Sequence, residues 1–152
     1  MPYALRLTPR AIYHSLAMFA IDHLGIAVKS LAASRAFYER LGLHVMPEEI
    51  VEHEKVRLAM VPIGESRIEL LEPTSDDSPI AKFLAKRGEG LHHVSLRVND
   101  LAHTVEDLKR AGVRLVNENV QVGAGGQLYV FVHPSSAGGV LLELCEEQSK
   151  GV

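Results

Sequence analysis

The sequence contains an internal duplication that limits how this chain can fold. Residues 21–31 (IDHLGIAVKSL) are echoed by residues 91–101 (LHHVSLRVNDL), so that His23 and His93 occupy equivalent positions 70 residues apart. Such a repeat is typical of a domain built from two copies of one structural module. If the two copies contribute to one sheet, their equivalent residues can lie close together.

Each copy also carries one carboxylate within an apolar run. Glu69 lies in the sequence RIELL and Glu143 in VLLEL, 74 residues later. A carboxylate there is costly to bury unless it is paired or bound to a metal, although it could face solvent across a half-exposed strand. Because each copy supplies one His and one Glu, we expect His23, Glu69, His93 and Glu143 to hold one divalent ion. Cobalt, manganese, nickel and zinc all suit two imidazoles and two carboxylates.

Apolar periodicity predicts the order βαβββ in each copy, which is an α+β plan. The expected strands and helices are β 20–28, α 31–41, β 43–46, β 55–62 and β 66–72, then β 91–98, α 101–111, β 113–116, β 127–133 and β 139–145. A short helix beginning at Ser78 and Pro79 connects the copies, with serine as its N-cap and proline at its first position.

Length and composition favour one globular domain. The duplication spans residues 18–148, with modules at about 18–75 and 90–148, and residues 1–17 form an N-terminal extension. A net charge of −3 argues against a nucleic-acid partner. The single cysteine, Cys145, excludes an internal disulfide and fits a reducing cytoplasm. No apolar run approaches the roughly 20 residues that a membrane helix needs.

Alternation along the strands assigns the histidines to faces. In the second copy, His93 and Ser95 share one face, while His92 shares the opposite face with apolar residues that pack under the helix. We therefore predict that His93 points into a cleft and that His92 has a packing role. His53 is predicted to lie on the surface, and the glycine-rich segment 123–126 to form a lid or hairpin over the site.

Several local motifs resemble the vicinal oxygen chelate superfamily, which includes glyoxalase I, extradiol dioxygenases and drug-sequestering proteins. Within it, the match is closest to the methylmalonyl-CoA epimerase family. The resemblance runs from about Met18 to Glu146 and rests on IDHLGIAV (21–28), ELLEP (69–73), DSPIAKFL (77–84), GLHH (90–93), FVHP (131–134) and GGVLLEL (138–144).

This resemblance implies two βαβββ modules, metal ligands at His23, Glu69, His93 and Glu143, and a homodimer. The implied activity is interconversion of (R)- and (S)-methylmalonyl-CoA, an acyl-CoA thioester, by α-proton abstraction through a metal-stabilised enolate. Glu143 is then the leading acid–base group, with Glu69 the candidate on the opposite face. Some members carry glutamine in place of Glu69. Certain members carry a further glutamate, proposed as a catalytic base, where this chain has Leu58.

Two other functions remain open from the sequence. Glyoxalase I (lactoylglutathione lyase) resembles this chain in the same four ligands, although the local motifs favour the epimerase. A non-catalytic small-molecule-binding protein of the same fold is the second alternative, but such proteins often lack the metal ligands. An iron extradiol dioxygenase would need only two histidines and one glutamate.

Overall fold

The computed structural model describes residues 19–147. The predicted extension at residues 1–17 lies outside the described residues. The elements, in chain order, are β1 (Phe19–Ala27), α1 (Leu31–Arg40), β2 (Glu49–Val51), β3 (Val56–Ile63), β4 (Ser66–Pro73), α2 (Pro79–Arg87), β5 (Gly90–Val98), α3 (Leu101–Arg110), β6 (Gln121–Val122), β7 (Leu128–Val132) and β8 (Leu142–Glu146). The order βαβββ, repeated once with α2 between the copies, confirms the α+β prediction.

All eight strands form one sheet in the order β2-β3-β4-β1-β5-β8-β7-β6. The order is symmetric about its centre, where β1 and β5 pair antiparallel. On either side, β1 pairs parallel with β4, and β5 pairs parallel with β8. The four strands predicted to carry metal ligands are therefore neighbours in the middle of the sheet.

The two faces of the sheet differ in what covers them. Helices α1 and α3 pack on one face, each over the outer strands of its own module. Leu31 of α1 and Leu101 of α3, equivalent in the repeat, are each only 1% exposed and anchor these two clusters. The opposite face holds a third cluster, in which Leu58, Leu71 and Ile80 of α2 pack together. This opposite face contains the candidate site.

Side-chain caps fix the N-termini of the helices, and the sequence predicts some of these caps. Ser30, Ser78 and Asp100 each accept a hydrogen bond from the first turn of α1, α2 and α3, respectively. A carboxylate from the sheet adds to two of them: Glu72 accepts from the Leu31 amide at 2.6 Å, and Glu146 accepts from the Leu101 amide at 3.2 Å. These equivalent contacts tie each helix to the strand that carries its module's glutamate.

Three of the predicted strands are wrong or misplaced. Residues 43–46 form no strand, since the Arg35 guanidinium donates to the Val45 and Met46 carbonyls at 3.2 and 2.8 Å, and the short strand falls at β2 instead. Residues 113–116 contribute only a bridge between Leu115 and Val132, with β6 following later. The last strand begins at Leu142 rather than at residue 139.

No helix within residues 19–147 is long and apolar enough to cross a bilayer.

Candidate metal and substrate site

Four buried side chains meet on the open face of the sheet. The Nε2 atoms of His23 and His93 lie 3.1 Å apart. Glu69 Oε2 lies 3.1 Å from the first of these atoms and 3.3 Å from the second. The Glu143 oxygens lie 3.6 Å from each of them. All four side chains predicted from the duplication are thus brought together, at 2–7% exposure.

The register of the central strands explains this convergence. Gly25 on β1 lies opposite His93 on β5, and a Cβ on Gly25 would come within 2.1–2.6 Å of the His93 ring. Only glycine leaves room for that ring. The equivalent residue in the second module is Ser95, whose hydroxyl donates to Glu143 Oε1 at 2.9 Å. At the same repeat position, Gly25 therefore leaves room for the His93 ring, and Ser95 orients the Glu143 carboxylate.

Each histidine is held by the residue just before it. Register shifts occur next to both histidines, one between Ile21 and His23, the other opposite Gly25 and Ile26, and such irregularities turn consecutive side chains toward one face. Asp22 Oδ2 lies 2.7 Å from His23 Nδ1, and His92 Nδ1 lies 2.9 Å from His93 Nδ1. Both contacts engage Nδ1, which leaves both Nε2 atoms directed at the centre of the site.

Asp22 is a buried charge with several partners. Its carboxylate, only 1% exposed, accepts from Arg67 at 2.6 Å, from Arg97 at 3.4 Å and from Gln127 at 3.3 Å. Burial opposes ionisation, but the bonds from His23 and Arg67 outweigh it and lower the pKa of Asp22 to about 2. The sequence did not predict a role for Asp22, although a carboxylate beside a candidate ligand histidine is a recognisable signal.

The two glutamates have opposite electrostatic surroundings. Burial would raise the pKa of Glu69, but its bonds to His23 and His93 hold that pKa well below its usual range. Burial raises the pKa of Glu143, and the Glu69 charge adds to this effect. Burial would lower the pKa of His23, yet hydrogen bonds with Asp22 and Glu69 raise it to about 10. The two carboxyl groups of the cluster therefore differ in how readily each holds a proton.

The donor set fits a divalent cation. Donors about 2.1 Å from one ion and at right angles around it lie about 3.0 Å apart, close to the 3.1–3.6 Å separations observed here. One donor atom from each of His23, His93 and Glu143 falls within 4.8 Å of the others, and Glu69 contacts both imidazoles. The contacts of both Nδ1 atoms with Asp22 and His92 are of the kind that orients metal-binding histidines.

Three of the four side chains, Glu69, His93 and Glu143, line a cavity of about 530 Å³ that reaches between the two modules. One wall is apolar and includes Leu58, Leu71 and Ile80. Leu58 is 3% exposed, so the position that carries a glutamate in certain family members is a hydrophobic part of this wall. Gly123 and Ala124 also border the cavity, as predicted for the glycine-rich segment.

The opposite rim carries a polar cluster that the sequence did not predict. Tyr129 on β7 donates to Glu54 and lies 3.0 Å from His53 Nε2, so a turn of the first module meets a strand of the second. Burial raises the pKa of Tyr129, and Glu54 adds to the shift. His53 is exposed, as the sequence predicts, but its ring also borders the cavity and contacts Tyr129.

His92 has its predicted packing role but lies on the opposite face of the sheet from the one predicted. It does pack, with its ring edge-on to Phe83 of α2 at 5.0 Å, but it also lines the cavity beside His93. Burial lowers the pKa of His92 to about 4, and His93 contributes to the shift. Strict alternation placed it on the helix-covered face, and the register shift of β5 is the reason that this assignment is wrong.

Comparison with known proteins places this geometry in a family. The family model of the Glyoxalase/Bleomycin resistance protein/Dioxygenase superfamily matches residues 22–131. Mitochondrial methylmalonyl-CoA epimerase from Bos taurus is 42% identical over 127 residues, 82% of this chain and 72% of the relative. The ethylmalonyl-CoA/methylmalonyl-CoA epimerase of Cereibacter sphaeroides is 36% identical over 128 residues, 82% of this chain and 95% of the relative.

A solved structure agrees with these sequence relatives. A variant of Streptomyces coelicolor methylmalonyl-CoA epimerase, in complex with 2-nitronate-propionyl-CoA, superposes with a TM-score of 0.83 at 37% identity. The match covers 87% of this chain and 96% of that chain. Fold, site and sequence agree, and this chain belongs to the methylmalonyl-CoA epimerase family within the Glyoxalase/Bleomycin resistance protein/Dioxygenase superfamily.

Proposed function

We propose that the protein is a metal-dependent methylmalonyl-CoA epimerase that interconverts the (R) and (S) forms of its substrate. The observation that carries this proposal is the buried cluster of His23, Glu69, His93 and Glu143, open to a cavity in a chain of the epimerase family. The reaction requires removal of a weakly acidic proton from the carbon between a thioester and a carboxylate, followed by its return on the other face.

The four clustered side chains are the proposed ligands of one cobalt, manganese, nickel or zinc ion. When bound, a divalent ion would stabilise the negative charge that develops on the substrate oxygens as the α-proton leaves. Asp22 and His92 keep the two imidazoles oriented through their Nδ1 contacts. Buried positions for all four donors exclude bulk water and strengthen these electrostatic interactions.

Glu143 and Glu69 are the proposed acid–base pair. They come from β8 and β4, on either side of the two histidine-bearing strands, so the carboxylates approach the site from opposite sides. Inversion needs groups on two faces of the α-carbon, one to accept the proton and one to donate it. Ser95 orients the Glu143 carboxylate by donating to Oε1. Leu58 contributes an apolar wall and no proton to this pair.

Turnover of defined substrates tests the proposal. The protein loaded with cobalt or manganese should interconvert the epimers of methylmalonyl-CoA and exchange their α-proton for solvent deuterium, as followed by chiral chromatography and mass spectrometry. It should do little to the methylglyoxal–glutathione adduct. Glyoxalase turnover without epimerisation would transfer the assignment to lactoylglutathione lyase. If the metal-loaded protein catalyses neither reaction, a non-catalytic binding protein becomes the favoured alternative.

A homodimer is the proposed assembly. Among residues 19–147, helices α1 and α3 leave the middle of their face of the sheet uncovered, where Phe19, Ile21 and Leu24 of β1 are 50%, 51% and 36% exposed. These three apolar side chains lie along the central strand, next to the internal symmetry axis. A second copy related by a two-fold axis would cover this patch with its own identical residues.

Light scattering with size-exclusion chromatography tests the dimer. At micromolar concentration we expect a mass of two chains, and Leu24→Asp should convert the protein to monomer because it buries a charge at the interface. Ile63→Asp, at an exposed apolar position in the β3–β4 hairpin, is the matched control and should remain dimeric. A monomeric wild type would contradict the proposed dimer.

A cytoplasmic location is the proposed compartment. Cys145 is the only cysteine in the sequence, and it is fully buried. Burial raises the pKa of its thiol to about 12, so the residue stays protonated and unreactive. Fractionation of cells that express the full-length protein should recover it in the cytoplasmic fraction.

A further inference from the structure

The Asp22 carboxylate is bonded by residues of both modules. Its Oδ2 atom contacts His23 Nδ1 at 2.7 Å and accepts a hydrogen bond from the Arg67 guanidinium at 2.6 Å. Its Oδ1 atom accepts from Arg97 at 3.4 Å and from Gln127 at 3.3 Å. Each oxygen therefore has two partners, so the carboxylate cannot turn away from the histidine without breaking contacts at both oxygens.

Two arginines reach this carboxylate along the face of the sheet that carries the site. Arg67 lies two residues before Glu69 on β4. Arg97 lies two residues after Ser95 on β5. Alternation along a strand therefore places both guanidinium groups on the face of the ligands. Their side chains are 32% and 37% exposed, and within the described part of the chain Asp22 is the only ion-pair partner of either one.

The repeat shows that the β4 arginine accompanies the acid. In the second module, the position of Asp22 is taken by His92, which burial keeps neutral at pH 7. The position of Arg67, two residues before the glutamate of its module, is taken by Leu141. The module with a buried acid thus has a cation at the second position, and the module with a neutral residue has leucine there. The fold that the modules share does not require the arginine.

Charge gives a second reason for the two arginines. With a divalent ion bound, Asp22, Glu69 and Glu143 would bring one more negative charge into the cluster than the ion offsets. A buried carboxylate without a cationic partner is costly, and the cost falls if the side chain turns toward solvent. Arg67 and Arg97 supply the cations beside the carboxylate that lies behind its histidine. They therefore favour the buried position of this carboxylate.

From these contacts we infer that Arg67 and Arg97 are positioning residues for the metal site: they hold the Asp22 carboxylate, which holds the His23 ring with its Nε2 atom toward the ion. The inference rests on the proposed function in that it takes His23 to be a ligand. It adds two residues that touch neither the substrate nor the ion. Since Arg97 belongs to β5, the orientation of a first-module ligand depends on the second module.

Metal affinity tests this role without any turnover. Arg67→Met keeps the apolar length of the side chain but removes its charge and hydrogen bonds, and we expect it to lower cobalt affinity about ten-fold. Arg97→Met should lower the affinity less, because its contact with Asp22 is longer. Arg67→Lys restores a cation and should recover most of the loss. Competition with a metal-sensitive dye measures the affinities, and circular dichroism confirms that each variant is folded.

Arg57→Met is the matched control for these changes. Arg57 is also partly exposed, at 41%, and it pairs with Glu48 at 3.7 Å and Glu72 at 3.5 Å on the same sheet. Its replacement removes ion pairs of similar exposure without altering the contacts that hold His23. The cobalt affinity of this variant should equal that of the wild type. An equal loss in Arg57→Met and Arg67→Met would overturn the inference, because any lost ion pair would then weaken binding through the fold.

A double-variant cycle separates positioning from general stabilisation. In an Asp22→Asn background, Arg67→Met should cost little further cobalt affinity, because the arginine acts through that carboxylate. Additive losses in the double variant, or wild-type affinity in Arg67→Met, would overturn the inference. Cobalt binding that depends on Arg67 without epimerisation would support the positioning role and contradict the epimerase. Wild-type protein that binds no cobalt would overturn both.

Discussion

The two modules place the same residue types in the same positions but support them differently. In the first module, His23 Nδ1 is held by a buried carboxylate, Asp22, which is itself bonded to Arg67 and Arg97. In the second module, the equivalent residue is His92, which meets His93 Nδ1 without a full charge. The two copies therefore share the same candidate ligands but differ in the residues that hold them, and the charged Asp22 holds His23 more firmly than the neutral His92 holds His93.

The carboxylates show the same divergence. Glu69 Oε2 lies within 3.3 Å of both imidazoles, whereas Glu143 lies 3.6 Å from each and accepts a bond from Ser95. The first module has Gly25 where the second has Ser95, because the His93 ring occupies the space. A pair of symmetric ligands can thus differ in how freely each reaches a substrate proton.

The largest expected effect comes from this glycine–serine pair. Gly25→Ala places a Cβ where the His93 ring now lies, so the ring must move and the ion should be lost along with all activity. Ser95→Ala, at the equivalent position, removes only a hydrogen bond and should retain the ion. Elemental analysis after dialysis measures both, with the circular dichroism spectrum as a check on folding. A fully loaded, active Gly25→Ala protein would contradict the proposed geometry.

The next effect concerns the two glutamates as acid–base groups. Glutamine keeps an oxygen ligand but removes the base, so Glu143→Gln and Glu69→Gln should each lower the epimerisation rate by about 10²–10⁴-fold. Each variant should still exchange the α-proton of one epimer with deuterium, and the two variants should retain opposite epimers. Wild-type epimerisation by Glu69→Gln would restrict the acid–base role to Glu143 and require a second group elsewhere in the cavity.

The smallest expected effect distinguishes Asp22 from His92, the residues that contact the Nδ1 atoms of His23 and His93. Asp22→Asn removes the charged partner of His23 and should weaken metal affinity by about 10–100-fold, the usual range for such supporting residues. His92→Gln replaces a neutral partner and should cost less. Competition with a metal-sensitive dye measures both affinities. If His92→Gln lowered the metal affinity more than Asp22→Asn does, the second module and not the first would hold its histidine more firmly.

Much of the fold and site could be predicted because it follows from residues repeated along the chain. The equivalence of His23 with His93 and the apolar runs around both glutamates predicted the central strands and the cluster. Irregular backbone could not be predicted, because strict alternation cannot locate the register shifts that bring Asp22 and His92 to the site. The contact of Tyr129 with His53 also escaped prediction, since it joins residues 76 positions apart without any repeat signal.

In the proposed site, one histidine and one glutamate from each module share a single ion. Anomalous diffraction from crystals grown with cobalt would locate that ion directly. We predict one cobalt per chain in the cavity, ligated by His23 and Glu69 from the first module and by His93 and Glu143 from the second. Cobalt ligated by only one module, or bound outside the cavity, would contradict the account.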